Sequence, residues 1–338
     1  MNLTTVGIDI AKNVFQLYGV DEKGQRVLTK RLKRPELATY LANLPACLIG
    51  MEACGGSHHW ARTFQQMGHT VKLMSPQYVK PYVKTNKNDY NDAEAICEAV
   101  TRPTMRFVAI KTIGQQDVLL LHKIRSRLIG QRTQLQNQIR GLLMEYGIII
   151  PRGLATLRSK LAEILPEGTE LSEAARGLFR ELNEELSQLT QRIDVHEKKL
   201  RSLVKTNAAC ERLETIPGIG PVSASALVAT IGDAAIFKTG RQLAAFFGLV
   251  PRQHSSGDKQ RLLGISKRGN TYIRSLLVHG ARAVVAAAMK KQDKHSVWIQ
   301  QLAQRRGFNR AVVALANKNA RRVWALLTHN TVYKIATL

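Results

Sequence analysis

Three short runs of apolar residues at the start of the chain constrain its fold more than any other feature. They are Thr5 to Ile10, Val14 to Val20 and Arg26 to Leu32, and only short turns separate them. Runs of this length that are rich in β-branched and aromatic residues predict strands, and such short connections predict antiparallel neighbours. We therefore expect the chain to begin with a meander of three strands.

Helix and strand patterns then alternate up to about residue 110. Helices are predicted at 35–44, 58–67 and 89–100, and further strands at 47–51 and 71–74. Alternation of this kind predicts an α/β domain around one sheet.

Four carboxylates occupy special positions in this predicted domain. Asp9 lies near the end of the first strand, Glu52 follows the fourth, and Asp89 and Asp92 share the first turn of a helix. In an RNase H-like sheet the first and fourth strands are adjacent, and residues three apart on a helix share a face. The four acids are therefore predicted to converge.

Converging carboxylates repel one another unless cations neutralise them, which favours hard divalent ions as their ligands. Two Mg²⁺ ions can stabilise the attacking and the leaving oxygen of a phosphodiester, and Mn²⁺ is an alternative. Taken singly, each acid has an ordinary explanation: Asp9 as a turn residue, the others as helix-terminal acids. Their joint order favours the metal site.

The middle of the chain predicts long helices. Leu121, Leu128, Leu135 and Leu142 are spaced by seven within a helix at 115–147. After a break from Pro151 to Gly168, a second helix repeats apolar positions by fours and threes from Leu182 to Leu203, as coiled coils do. We expect a hairpin arm that mediates dimerisation, with internal packing of three helices in one chain as the alternative.

The charge of the chain indicates a polyanionic partner. It has 50 Lys and Arg against 25 Asp and Glu, a net charge of +25. The excess is concentrated late, because residues 251–338 hold 17 basic and 2 acidic side chains, whereas residues 1–100 hold 12 and 9. Nucleic acid is the expected partner.

Other classes find little support. The four cysteines lack the spacing of a zinc site or a disulfide framework. No apolar run approaches the ~20 residues that a membrane-spanning helix needs. We expect no membrane association and a cytoplasmic protein.

Two segments late in the chain are candidates for contacts with nucleic acid. Gly218 and Gly220 lie in a turn between two predicted helices, and such a helix-hairpin-helix can hold a phosphate with its backbone N–H groups. A basic loop follows, in which Ser255 and Ser256 are surrounded by Arg252, Lys259 and Arg261. Further phosphate contacts are predicted for the following residues: Lys12, Lys267, Arg268, Arg274, Arg305, Arg306, Arg310, Lys318, Arg321 and Arg322.

A serine hydroxyl is a weak nucleophile unless a base, a metal or strong positive charge activates it. From the residues alone, either serine could be an ordinary turn residue without a chemical role.

Several linked motifs resemble one family, the DEDD transposases and site-specific invertases of bacterial insertion sequences, whose members work with a bridge RNA. The motifs are VGIDIAK, MEACG, NDYNDAEAI, IPGIGPVSASAL and AAFFGLVPRQHSSGDKQRLLGISKRGNTYIRSLL. The resemblance extends over nearly the whole chain.

This resemblance implies a RuvC-like domain at 1–108, a coiled-coil arm at 109–205 and a helical transposase domain at 206–338. It implies that Asp9, Glu52, Asp89 and Asp92 bind Mg²⁺ and that Ser256 is the nucleophile, with Ser255 as the alternative. It implies further a homodimer or homotetramer that is associated with the bacterial nucleoid. It also implies donor and target DNA as substrates, a bridge RNA, and active sites assembled between protomers.

Two other functions stay open at this stage. A hydrolytic nuclease that acts on DNA junctions would use the acids but not the serine. A nucleic-acid-binding protein without enzymatic activity would need neither.

Overall fold

The structure is a computed structural model that describes residues 2–84, 88–166 and 171–334. The chain divides into two compact units, Met1–Thr112 and Ile113–Leu338. The predicted arm and C-terminal domain fall within the second unit. Whether the chain folds as three independent parts stays a prediction.

The first unit is built on one sheet of six strands with helices packed against it. Its strands are β1 (Thr5–Ile10), β2 (Val14–Val20), β3 (Arg26–Lys33), β4 (Leu48–Glu52), β5 (Thr70–Met74) and β6 (Phe107–Val108). Its helices are α1 (Arg34–Ala42), α2 (Ser57–Gln66), α3 (Pro76–Val79) and α4 (Asp89–Val100). A short 3₁₀ turn spans Lys80–Tyr82.

The order across this sheet is β3-β2-β1-β4-β5-β6. β1 pairs antiparallel with β2 and parallel with β4, and β5 is parallel to β4. The predicted meander and the predicted adjacency of the first and fourth strands are both confirmed. This arrangement is consistent with an RNase H-like domain.

One face of the sheet forms an apolar core with α1 and α2. Ile8, Leu17 and Met51 are fully buried there, together with Trp60 and Phe64 of α2. The opposite face contacts α4 and carries small residues where the helix lies closest. The sheet therefore places one set of alternate strand residues in the core and the other set beneath α4.

The second unit consists mainly of helices. They are α5 (Ile113–Met144), α6 (Leu154–Ile164), α7 (Glu173–Lys205), α8 (Ala208–Glu214), α9 (Pro221–Ile231), α10 (Gly240–Phe246), α11 (Thr271–Ala288), α12 (Lys294–Arg306) and α13 (Phe308–His329). A 3₁₀ turn spans Ala234–Ile236, and a hairpin of β7 (Pro251–Gln253) and β8 (Leu262–Ile265) follows α10. None of the helices in the described residues is long and apolar enough to cross a membrane.

The apolar positions of the arm pack within this one chain. Leu128 and Leu135 of α5 share a core with Leu186 and Ile193 of α7. The predicted break contains a further helix, α6, whose Leu157, Leu161 and Ile164 close the same core; residues 167–170 of that break lie outside the described residues. This arrangement is the alternative of internal three-helix packing. Leu142 and Leu203 of the seam are nevertheless exposed. Whether the arm also forms a dimer stays a prediction.

A buried polar network connects the arm to the helices that follow it. His122 of α5 is 2% exposed; its Nδ1 lies 3.0 Å from the Tyr272 hydroxyl and its Nε2 3.0 Å from the Ser225 hydroxyl. Burial lowers the pKa of His122 to about 4, so its imidazole is neutral at pH 7. One turn later, Arg125 forms an ion pair with Glu197 of α7.

Candidate active site

The ends of β1 and β4 place Asp9 and Glu52 side by side. The parallel register pairs Gly7 with Gly50 and Ile8 with Met51. Asp9 and Glu52 are the next residues on the two strands. Because neighbouring strands lie about 4.8 Å apart, the two carboxylates begin from adjacent backbone positions.

The side chains of these two acids lie on the face of the sheet that α4 covers. A methyl group on Gly7 would lie 2.3 Å from the Ala93 carbonyl oxygen, and one on Gly50 would lie 2.8 Å from Val100 Cβ. Residues two apart on a strand share a face. Asp9 therefore projects on the same face as Gly7, and Glu52 on the same face as Gly50.

Helix α4 directs its N-terminal end toward Asp9. Cys97 Sγ lies 3.7 Å from the Thr5 carbonyl oxygen, and Ala93 one turn earlier contacts Gly7. The next turn toward the N-terminus carries Asp89 and Asp92, so this turn lies toward the end of β1. The Asn88 side chain caps the helix by accepting the Asn91 N–H at 2.7 Å.

The negative charges of both strand-end acids affect the pKa of the Cys54 thiol. Partial desolvation raises its pKa, and the negative charges of Glu52 and then Asp9 raise it further. The two carboxylates are thus close enough to the same sulfur to influence it together.

The four acids do not form one compact cluster in the structure. Within the described parts of the chain, no three His, Cys, Asp or Glu side chains lie close enough together to hold a metal ion. Asp9, Glu52 and Asp92 are partly buried, and Asp89 is exposed. The convergence of all four therefore stays a prediction, whereas the pairing of Asp9 with Glu52 is a feature of the fold.

Sequence reasoning missed the residues that brace the first turn of α4. Tyr90, between the two acids, packs edge-on against Tyr18 of β2 with ring centroids 5.5 Å apart. Arg26 donates a hydrogen bond of 2.9 Å to the Tyr90 hydroxyl. An aromatic residue between two helix-terminal acids was the available signal for this contact.

Ser256 lies at the tip of the exposed hairpin in the second unit. It forms an isolated bridge with Lys259 across the turn of Gly257 and Asp258, and every residue from Pro251 to Gly264 is exposed. The basic residues Arg252, Lys259 and Arg261 belong to this same exposed hairpin.

The two adjacent serines have different surroundings. Ser255 Oγ accepts hydrogen bonds from the Arg261 N–H at 3.2 Å and from Gln253 Nε2 at 3.1 Å, so it holds the two strands of the hairpin together. Across the described residues, no hydrogen bond is formed by the Ser256 hydroxyl. Ser255 therefore has a structural role, and Ser256 presents its hydroxyl to solvent.

The base of the hairpin is fixed by close backbone contacts. Gly269 has a positive φ of 77°, and a methyl group there would lie 1.9 Å from the Phe246 carbonyl oxygen. Arg274 donates to the carbonyl oxygens of Phe247 and Arg268 at 3.1 and 3.0 Å. Asn317 of α13 donates to the Leu249 carbonyl oxygen at 3.1 Å.

The other residues predicted to bind nucleic acid are mostly solvent-accessible. Lys12, Gly220, Lys267 and Arg268 are exposed, and Gly220 precedes the first turn of α9. Gly218 has an internal reason to be glycine, because its φ is 88° and a methyl group there would lie 2.8 Å from the Gly280 carbonyl oxygen. Arg274 uses its guanidinium to hold the hairpin. Contacts of these residues with nucleic acid stay predictions.

Comparison with known proteins identifies relatives over the whole length of the chain. A family model of IS110 DEDD enzymes, described as "Transposase", matches residues 6–148, and a model described as "Transposase IS116/IS110/IS902 family" matches residues 210–296. A "Probable family 20 transposase" of Pseudomonas aeruginosa is 51% identical over 336 residues, covering 99% of each chain.

Two further relatives indicate the breadth of the group. A "Transposase for insertion sequence element IS1111A" of Coxiella burnetii is 50% identical, over 98% of this chain and 92% of its own. A "Pilin gene-inverting protein" of Moraxella lacunata is 25% identical, over 82% of this chain and 81% of its own. With the sheet, its paired acids and matches of this extent in place, the chain belongs to the IS110/IS116 family of DEDD transposases.

Proposed function

We propose that this protein is the transposase of an insertion sequence, which cuts and rejoins DNA with Ser256 as nucleophile and with Asp9, Glu52, Asp89 and Asp92 as ligands of divalent ions. Membership of the transposase family supports DNA cleavage and recombination as the activity and DNA as the substrate. The observation that carries the proposal is the position of Asp9 and Glu52 on adjacent strand ends beneath α4.

The acids suit a hard divalent cation. They offer only carboxylate oxygens, which Mg²⁺ and Mn²⁺ prefer as ligands. The negative charges of Glu52 and Asp9 both raise the pKa of the Cys54 thiol, after its partial desolvation, which fits a cation-attracting site near it. A divalent ion bound there would supply Lewis-acid stabilisation of the charge that develops on the phosphodiester oxygens. We propose Mg²⁺ as the natural ion.

The serine step conserves the phosphoester bond. Ser256 Oγ attacks the phosphorus, and its proton passes to solvent or to a base. A P–O bond to the serine forms while the bond to one sugar oxygen breaks, and that oxygen takes up a proton. Attack by a hydroxyl at a new DNA end reverses these steps, releases the serine and rejoins the strand. No nucleotide hydrolysis is needed.

The exposure of Ser256 supports this role. A hydroxyl at the tip of a projecting hairpin can reach a phosphodiester that a buried serine could not. The cationic side chains of the hairpin, including Arg252, Lys259 and Arg261, can hold phosphates next to it. The acids and the serine lie in separate compact units. The proposal therefore includes a composite site in which Ser256 of one protomer meets the acids of another on DNA.

The remaining partners are donor DNA, target DNA and a bridge RNA. The net charge of +25 supports more than one nucleic-acid partner, because each polyanion requires its own neutralisation. The Gly218–Gly220 turn between α8 and α9 is proposed as a helix-hairpin-helix contact to one of these backbones.

The end of the arm supports assembly into a dimer or tetramer. Several large apolar residues are exposed there, including one leucine of the heptad seam. They are Leu142, Met144, Tyr146, Ile149 and Leu178. The rings of Tyr146, two residues beyond the end of α5, and Phe179 of α7 lie 6.1 Å apart, so these two segments meet at this end. Exposed apolar patches of this kind often mark protein–protein contacts.

A covalent trap tests the proposed chemistry. Cells carry a plasmid with the insertion element and its flanking DNA, and DNA linked to the protein is measured after lysis in detergent. The wild-type protein is expected to give a covalent adduct. The Ser256→Ala variant should give none, and the matched Ser255→Ala variant should retain it.

Other outcomes identify the alternatives. Cleaved ends without any adduct, together with full activity of Ser256→Ala, would show a hydrolytic nuclease. No cleavage by any version, and no response to removal of Mg²⁺, would show a binding protein without enzymatic activity. Sequencing of the RNA that co-purifies with the protein tests the bridge RNA separately.

A further inference from the structure

A group of cationic side chains lies half-buried between α12 and α13. Lys318 Nζ is 3.9 Å from the centre of the Trp298 ring, and the Arg322 guanidinium is 4.5 Å from the centre of the Tyr333 ring. His295 stacks against Trp298 with an interplanar angle of 14°. Its Nε2 lies 3.5 Å from Arg322 Nη1.

These side chains are held in fixed positions. Arg322 Nη1 donates a hydrogen bond of 3.0 Å to Asn319 Oδ1. Asn319 is itself 1% exposed and donates to the Pro217 carbonyl oxygen at 2.9 Å. The half-buried cluster is therefore anchored to the core through Asn319, unlike the exposed Arg305, Arg306 and Arg310 of the same helices.

Among the described residues, no acid forms a salt bridge with the two permanent cations of the cluster. In residues 2–84, 88–166 and 171–334, neither Lys318 nor Arg322 forms a salt bridge. The nearby Asp293 is engaged as the cap of α12, where one oxygen accepts the N–H groups of His295 and Ser296 and the other accepts the Ser296 hydroxyl at 2.6 Å.

Burial and mutual repulsion make the charged forms of Lys318 and His295 less stable, which lowers the pKa of both side chains. Desolvation lowers the pKa of Lys318, and repulsion from Arg322 and Arg321 lowers it further. Desolvation likewise lowers the pKa of His295, repulsion from Arg322 and Lys318 lowers it further, and the negative charge of Asp293 opposes this only in part. An anion bound between these groups would relieve the repulsion and replace lost hydration.

We propose that Lys318, Arg322 and His295 form a binding site for one backbone phosphate of a nucleic acid. A phosphodiester supplies a single negative charge with oxygen acceptors that match guanidinium and ammonium donors. The site deepens the proposed function and rests on it, because it takes its ligand from the same nucleic-acid substrates. The same α13 anchors the base of the serine hairpin through Asn317. A phosphate held here would lie on the helix that supports the nucleophile.

The test uses Lys318→Gln and, as a matched control with the same charge change, Lys198→Gln on an exposed position of α7. All versions carry Ser256→Ala, so that binding is read without cleavage. Fluorescence anisotropy measures the affinity for a 30-bp DNA duplex and for a 30-bp RNA duplex between about 50 and 300 mM KCl. Loss of one phosphate contact should reduce the salt slope by about 0.9 and the affinity about eightfold at 0.1 M salt.

The two duplexes distinguish the source of the phosphate. A reduced slope with DNA alone assigns the site to DNA, one with RNA alone assigns it to RNA, and both support a shared backbone contact. An unchanged slope with both duplexes, relative to Lys198→Gln, overturns the proposal.

Thermal unfolding separates binding from a purely structural role. Without a ligand, Lys318→Gln should keep or raise the melting temperature, because it removes a repelling charge. Inorganic phosphate should stabilise the wild-type and Lys198→Gln proteins more than Lys318→Gln, at matched ionic strength. A lower melting temperature of Lys318→Gln together with an unchanged phosphate response would overturn the proposal. Anisotropy and thermal unfolding measure binding and do not depend on the covalent adduct. A failure of the proposed Ser256 chemistry therefore shows in the adduct test and not in these two measurements.

Discussion

The two parts of the proposed active site are supported in opposite ways. Asp9 and Glu52 begin from paired strands whose neighbours Ile8 and Met51 are fully buried. Ser256 lies on a hairpin whose residues from Pro251 to Gly264 are all exposed. Metal ligands need fixed separations, which a packed sheet provides. A nucleophile that must reach a large substrate benefits from a projecting segment with few contacts of its own.

The largest expected difference between the two parts concerns the response to metal. Asp9→Asn and Ser256→Ala should each reduce recombination at least about a thousandfold, because each removes a group that acts in the chemical step. Only Asp9→Asn should abolish the rise in melting temperature that Mn²⁺ or Mg²⁺ gives the protein, since ligand binding stabilises the folded state. Differential scanning fluorimetry with and without EDTA measures this.

The Asp9→Asn variant also has a matched control. Asp21→Asn changes an acid in the β2–β3 turn and should leave the metal response intact. An unaltered metal response in Asp9→Asn would remove Asp9 from the metal site.

A smaller effect, on stability and activity, is expected when a side chain is added at the contact between the sheet and α4. A methyl group on Gly7 would lie 2.3 Å from the Ala93 carbonyl oxygen, so Gly7→Ala should displace α4 and lower the free energy of unfolding by about 1–3 kcal/mol. Activity should fall as well, because α4 carries two of the acids. Chemical denaturation measures the stability.

Gly55→Ala is the control for this change, because a methyl group there meets no atom within 4 Å. Equal stability of the two variants would show that α4 does not rest on β1 as closely as the structure indicates.

The smallest effect on stability is expected at the hairpin. Leu262 is 66% exposed, so Leu262→Ser should change the free energy of unfolding by less than about 0.5 kcal/mol. If the hairpin works by docking onto another surface, formation of the covalent adduct should nevertheless decrease. An unchanged adduct yield would assign Leu262 no role in docking, whereas a large loss of stability would show that the hairpin is packed.

The sheet was largely predictable from sequence because its signals are local. Short apolar runs and tight turns predicted β1 to β3, and the acid inside the first strand indicated where a candidate site would lie. The placement of Asp9 beside Glu52 followed once the fourth strand was assigned.

The features that escaped prediction depend on contacts between distant residues. Three examples are the close approach of α4 to Gly7, the contact of Tyr90 with Tyr18, and the hydrogen bonds of Ser255 within the hairpin. Each is set by the folded chain and has no local signal in the sequence. Helix α6 was missed because its apolar residues lie in a segment interrupted by proline and glycine. The packing partner of the arm could not be read from heptad spacing, since that spacing is satisfied equally by the same chain and by another.

The central position of β1 has a consequence for the synthesis of the protein. This strand is synthesised before β4, with which it pairs, and before α4, which covers it. At ordinary elongation rates α4 is completed of the order of ten seconds after β1. Until then the face of β1 that carries Gly7 lacks its helix, and a product initiated internally at Met51 would lack the strand around which the rest assembles.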